Sequence, residues 1–179
     1  MLGGLADGAH GMVDPTRGLR ARFLAMLDFF ASRQRLPDAG PVRVVGLVYP
    51  TEMTDDLPLV RLYRRWLEEH GFSVVLGSPY NLTFAGRQTR LFDTPIDVLI
   101  RHYKTDWWGE RESAWLEDPI DDAGPLEGRF RAVVSGMAAG TLAVVNPFGA
   151  VVPQNKRSFA LMWEQIHRFP RAAQTAIEK

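Results

Sequence analysis

Residues 96–108 constrain the fold most. Ile96-Asp97-Val98-Leu99-Ile100 is an apolar, β-branched run, and it turns abruptly into Arg101, His102, Tyr103, Lys104, Asp106, Trp107 and Trp108. A run of this kind reads as a strand buried on both faces. Such a strand needs cover above and below, which points to an α/β sheet rather than a sandwich. In open α/β sheets ligands collect outside the carboxyl ends of the strands. The chemistry is therefore expected to begin at Arg101, where the apolar run stops.

The flanking sequence supplies the rest of such a sheet. Val42 to Val48 is a strong strand, Leu59, Val60, Tyr63, Trp66 and Leu67 fall on one helical face, and Ser73 to Leu76 is a second strand. A strand, helix and strand within about forty residues make a βαβ unit with parallel strands. Asp55 or Asp56 can cap the intervening helix and Gly71 marks its end. Before this unit, Asp14-Pro15 is a good helix start, and Leu19, Phe23, Met26, Leu27 and Phe30 form an apolar face that runs to about Gln34. After it, Leu82 to Phe92 reads as a short hairpin, with Ala85-Gly86-Arg87-Gln88 between its two arms. A helix from Leu126 carries Phe130, Val133, Val134 and Met137 and ends at Gly140, and Leu142 to Val145 is a further buried strand. A last helix near Gln154 is expected to bury Phe159, Trp163 and Ile166, with a short tail helix after Pro170. The expected fold is α/β: a Rossmann-like open, mostly parallel sheet with helices on both faces. Residues 1–13 read as a flexible, glycine-rich N-terminal segment and 14–179 as a single domain.

Composition excludes several classes. Lysine plus arginine equal aspartate plus glutamate at 21 each, which argues against a dedicated nucleic-acid binder or a polybasic membrane module. There is no cysteine, so disulfides and thiolate metal sites are out. The histidines His10, His70, His102 and His167 lie far apart and form no zinc motif. No apolar run approaches the ~20 residues of a membrane span, and no signal peptide is visible, so a cytoplasmic location is expected. Phosphate-loop, dinucleotide-binding and serine-elbow motifs are absent.

Three strand ends carry candidate binding residues. Glu52, Asp55 and Asp56 follow the first strand; Arg101, Tyr103, Lys104 and Asp106 follow the central one; Asn146 follows the late one, with Gln154-Asn155-Lys156-Arg157 a little further on. On a parallel sheet these loops share one edge, so Arg101, Tyr103, Asp106 and Asn146 are expected to line a substrate cleft. Arg101 can fork onto a carboxylate, and Tyr103, Trp107 and Trp108 add contact area. Lys156 stands at a helix N-terminus, where backbone amides already favour an anion. Capping by Asn155 with Lys156 and Arg157 solvated is the plainer reading of that spacing. His102 should point opposite to Arg101 and Tyr103 and reads as structural.

Two of these segments resemble glutathionylspermidine synthase-like proteins. Ile96 to Trp107 is similar to a family strand that ends in a basic residue, an aromatic, and an acidic residue beside tryptophan. Asn146-Pro147, then Gln154-Asn155-Lys156 and an apolar helix with Leu161 and Trp163, resembles the family's Pro-rich turn and Asn-Lys helix. The resemblance spans Val42 to Glu164. It implies a circularly permuted ATP-grasp ligase, which activates a carboxylate as an acyl phosphate and joins it to an amine. The stretch here corresponds to the pre-ATP-grasp domain. The resemblance implies Asn155 and Lys156 as nucleotide-binding residues, and ATP with magnesium as cofactors of the full-length enzyme.

The family's Arg-x-Asp and Glu-x-Asn motifs, which hold magnesium and substrate, are not found here, nor is the region after its Asn-Lys helix. The expectation is a substrate-side domain whose partner is the ATP-grasp core of a longer chain. Alone it is expected to lack catalytic residues, need no cofactor and carry out no ligation. Two other readings compete: a stand-alone α/β module for a small anionic ligand, and a glycosyltransferase-like sugar-nucleotide domain in which Asp55-Asp56 or Asp121-Asp122 holds manganese.

Overall fold

The computed structural model describes residues 18–51, 54–105, 108, 126–150, 152 and 155–177. The expected start at Asp14-Pro15 lies outside them. Within them, α1 covers Leu19–Gln34, β1 Val44–Val48, α2 Leu57–Glu69 and β2 Ser73–Gly77. A hairpin follows, with β3 Leu82–Ala85, β4 Gln88–Leu91 and the short β5 Thr94–Pro95. Then come β6 Val98–Arg101, α3 Glu127–Ala138, β7 Ala143–Val145, α4 Lys156–Glu164 and α5 Arg171–Ile177. Residues up to Val145 form one compact unit and those from Asn146 onward a second.

The first unit is the α/β sheet that the apolar runs call for. Its four strands are all parallel, in the order β2-β1-β6-β7. Strand alternation divides the sheet into two faces. Val45, Leu47, Val98, Ile100, Ala143 and Val145 join Phe23, Leu24 and Leu27 of α1 and Val60, Trp66 and Leu67 of α2 in one buried cluster. The opposite face passes through Gly46, and a Cβ there would sit 2.8 Å from the Cδ1 of Ile96. Glycine is needed because Ile96 and Leu91, from the chain around the hairpin, close directly onto the strand. The hairpin turn uses Gly86 at φ 59° and Arg87 at φ 64°, the left-handed pair that a two-residue connection demands.

Helix α3 buries Val133 of the expected stripe, but the rest of its packed face differs. Ala132, Val133 and Gly136 are buried, while Phe130 and Val134 are 38% and 41% exposed. The reason is the closeness of its contact. A Cβ on Gly136 would overlap Thr89 Oγ1 and meet Leu142 Cβ at 3.0 Å. The Thr89 hydroxyl also donates to the Ala132 carbonyl at 3.2 Å. Only small residues admit that approach. The chain then turns at Gly140, φ 68°, against the side chain of Leu36.

The amino edge of the sheet is tied by one carboxylate. Asp97 Oδ2 accepts the backbone N–H of Arg43 at 2.8 Å and of Val44 at 2.9 Å, while Oδ1 accepts Arg35 Nη2 at 3.0 Å. Arg35, at the end of α1, also donates to the carbonyls of Ala39, Gly40 and Thr141. One residue back, the Gln34 side-chain amide exchanges two hydrogen bonds with the backbone of Val144, at 3.1 and 2.8 Å.

In the second unit Phe159 and Trp163 are 57% and 55% exposed and Ile166 is half-buried. The expected burial of Phe159 and Trp163 is therefore corrected. The helical period places them, but nothing described in that unit covers them. Among the described residues no helix is long and apolar enough to cross a membrane.

Two substitutions test this packing. Asp97→Ala should destabilise the fold by about 3 kcal/mol, because it strands the largely buried Arg35 guanidinium. Gly136→Ala should cost about 1–3 kcal/mol by overpacking. Urea unfolding followed by circular dichroism reads both; an unchanged midpoint in either variant contradicts the packing described.

Candidate functional site

The strand order reverses direction between β1 and β6. From β1 the chain crosses to β2 on one side, while the later strands β6 and β7 add on the other. Open parallel sheets bind ligands at this reversal. Val48 pairs with Arg101 in register. The ladder runs one step further, since His102 N donates to the Val48 carbonyl at 2.8 Å. On the other side Tyr49 N donates to the Gly77 carbonyl at 3.1 Å.

Arg101 is turned into the protein. It is only 4% exposed, and its Nη1 donates to the backbone carbonyl of Tyr103 at 2.8 Å. Burial lowers its pKa from the ordinary arginine value, yet a guanidinium stays protonated. Tyr103 is also buried and meets Trp108 edge-to-face, ring centres 6.0 Å apart. The sequence places Arg101 and Tyr103 at the strand end, as the structure does. That the guanidinium would close onto its own loop was not readable from residue type. Asp106 lies outside the described residues.

His102 takes the other side of the strand, as alternation requires. Its Nε2 lies 3.4 Å from Asp56 Oδ2, and its ring meets Tyr63 edge-to-face at 6.4 Å. Asp56 occupies the N-cap position of α2 but makes no capping hydrogen bond. Its carboxylate faces the imidazole instead of the helix amides. Tyr63 is stacked on Phe23 at 4.7 Å with the rings 8° from parallel. Burial raises the Tyr63 pKa. Asp55 and Asp56 belong to no group of three or more side chains able to hold a metal among the described residues; Asp121 and Asp122 lie outside them.

The second unit holds the other candidates. Asn146 begins it, exposed and in the left-handed region at φ 57°. Asn155 is the N-cap of α4, its Oδ1 accepting from Arg157 N at 2.9 Å. Lys156 is exposed at the first helical position. An open groove of about 740 Å³ runs beside the helix, lined by Val152, Asn155, Arg157, Ser158, Leu161 and Glu164 among others.

No protein-family model and no curated protein matches this chain.

The half-buried Tyr63 phenol generates a pH dependence. Because the folded-state pKa of Tyr63 is raised, the folded chain holds this proton more tightly than the unfolded chain does. The contribution is therefore complete below about pH 10, the unfolded value, and is lost as pH rises through the folded pKa. Tyr63→Phe keeps the ring stack and removes the proton. Urea unfolding on either side of that pH should show the wild type losing more stability than the variant. Equal losses would mean that Tyr63 is not coupled to folding.

Proposed function

We propose that this chain is the substrate-side domain of an ATP-dependent carboxylate–amine ligase resembling glutathionylspermidine synthase, working in the cytoplasm. The observation that carries the reading is positional. The segment that resembles the family, Ile96 to Trp107, has its basic residue Arg101 at the end of β6, beside β1 and at the reversal of strand order. In a reaction of this class the carboxylate oxygen takes the γ-phosphoryl group and ADP departs. The amine nitrogen then bonds to the acyl carbon as the carbon–oxygen bond to phosphate breaks, releasing phosphate and the proton of the amine.

In this reading Arg101 sets positive charge beneath the substrate carboxylate and closes onto the backbone of Tyr103. Asn155 and Lys156 serve the nucleotide from the start of α4. One charge-assisted hydrogen bond contributes about 1.5–3 kcal/mol, whereas even millimolar binding requires about 4 kcal/mol. Lys156 therefore acts jointly with an ATP-grasp core and does not hold ATP by itself. ATP with magnesium supplies the activating phosphoryl group in the full-length enzyme.

The expected results are specific. Calorimetry of this chain with ATP and magnesium should show no binding tighter than millimolar. In a full-length enzyme, ATP-dependent phosphate release should require both a carboxylic acid and an amine. Lys156→Ala and Arg101→Met should each lower it by tenfold or more, the loss of about 1.4 kcal/mol or above. Micromolar binding of ATP by this chain, or full turnover in the Lys156→Ala enzyme, would remove the reading. A small anion bound without any ATP requirement would favour a stand-alone binding module.

A further inference from the structure

We propose that β2 is the contact through which two copies of this chain pair, antiparallel, about a two-fold axis at Val75. The strand lies outermost beside β1, and among the described residues it has no neighbour on its other side. Its free groups follow from the bonds already made. Ser73 N donates to the Arg43 carbonyl, and the Gly77 carbonyl accepts from Tyr49 N. Backbone groups of successive strand residues point to opposite sides. Ser73, Val75 and Gly77 therefore address β1, while Val74 and Leu76 face away from it. The next outward N–H groups are already taken: Phe72 N donates to the Leu67 carbonyl and Ser78 N to Asn81 Oδ1. The open hydrogen-bonding groups are thus centred on Val75.

That pattern selects a second copy. A closed pair built from one surface has a two-fold axis, and such an axis through Val75 sets the strands antiparallel. Val74 of one copy then lies opposite Leu76 of the other, where opposed residues exchange both their N–H···O bonds. Val75 meets its own counterpart at the closer-spaced position between them. Cross-strand side-chain contacts stabilise such a ladder. Val74, Val75 and Leu76 are all half-buried, so each has apolar surface left to cover. Phe92 adds to it: the residue is 51% exposed, and a Cβ on Gly77 would stand 3.1 Å from its Cε2. Outer strands are commonly guarded by a charge or a proline, and Ser73-Val74-Val75-Leu76-Gly77 contains neither. Cations and carboxylates balance at 21 each, so two copies meet without net repulsion. At the other margin β7 is engaged at its middle residue by Gln34. β2 therefore meets β2, and the assembly closes as a dimer instead of growing. The pairing is independent of the ligase reading.

Sedimentation velocity of this chain over a concentration series, with amide hydrogen exchange on the same samples, tests the pairing. The chain should pass from monomer to dimer as concentration rises. The Val74 and Leu76 amides should exchange readily in the dilute chain and become protected in step with the dimer fraction. The Ser73, Val75 and Gly77 amides, which address β1, should be protected throughout. Val74→Pro removes an N–H that β1 does not use and should weaken association about tenfold or more; circular dichroism checks that the variant folds. If it does not fold, the wild-type exchange pattern decides alone. A chain that stays monomeric, or a dimer whose Val74 and Leu76 amides exchange as fast as in the dilute chain, would overturn the proposal. So would full protection of those amides in the monomer, or an undiminished dimer in folded Val74→Pro.

Discussion

The Arg35–Asp97 pair sets the level from which the sheet starts. A carboxylate at the mouth of an apolar strand is tolerable only if its oxygens are satisfied, and here one holds the start of β1 while the other holds the end of α1. The backbone of Asp97 completes the tie: its N–H donates to Val44 and its carbonyl accepts from Ala143. Three strands and the preceding helix therefore share a common origin. Because they start level and are short, they also finish nearly level, which is why Val48 stands opposite Arg101 and Ile100 opposite Val145. The polar residues at the far edge are brought together by an ion pair on the near one.

At that far edge one strand serves two environments. Arg101 and His102 are adjacent in sequence, so the pleat sends them to opposite faces. Arg101 enters the buried loop around Tyr103 and Trp108; His102 meets the start of the crossover helix. A buried cation and a partly open imidazole thus sit on two sides of one short backbone segment. This division comes from strand geometry alone, with no need for an inserted loop.

Much of this architecture was readable because the strands are short apolar runs separated by helical periodicity. The four parallel strands, the hairpin and the end of α1 at Gln34 follow from those patterns. The contacts around Gly136 did not, because hydrophobic periodicity gives weight to large residues such as Phe130 and Val134. The packed face is instead chosen by how near the hairpin comes. His102 read as structural because alternation turns it away from Arg101. What that reasoning lacks is where the crossover helix begins, and Asp56, expected only as a possible cap, is the residue found there. For Phe159 and Trp163 the period identifies an apolar side but carries no information about what, if anything, lies over it.

The Gln34 amide has one more consequence. An outer strand of a sheet presents unpaired N–H and C=O groups that another chain can extend. β7 is such a strand, only three residues long, and Gln34 satisfies both backbone groups of its middle residue. A single side chain thus imitates a neighbouring strand. It leaves no consecutive run of free groups on β7 long enough to template a foreign one, so this margin of the sheet is closed to sheet-to-sheet association without adding a further strand.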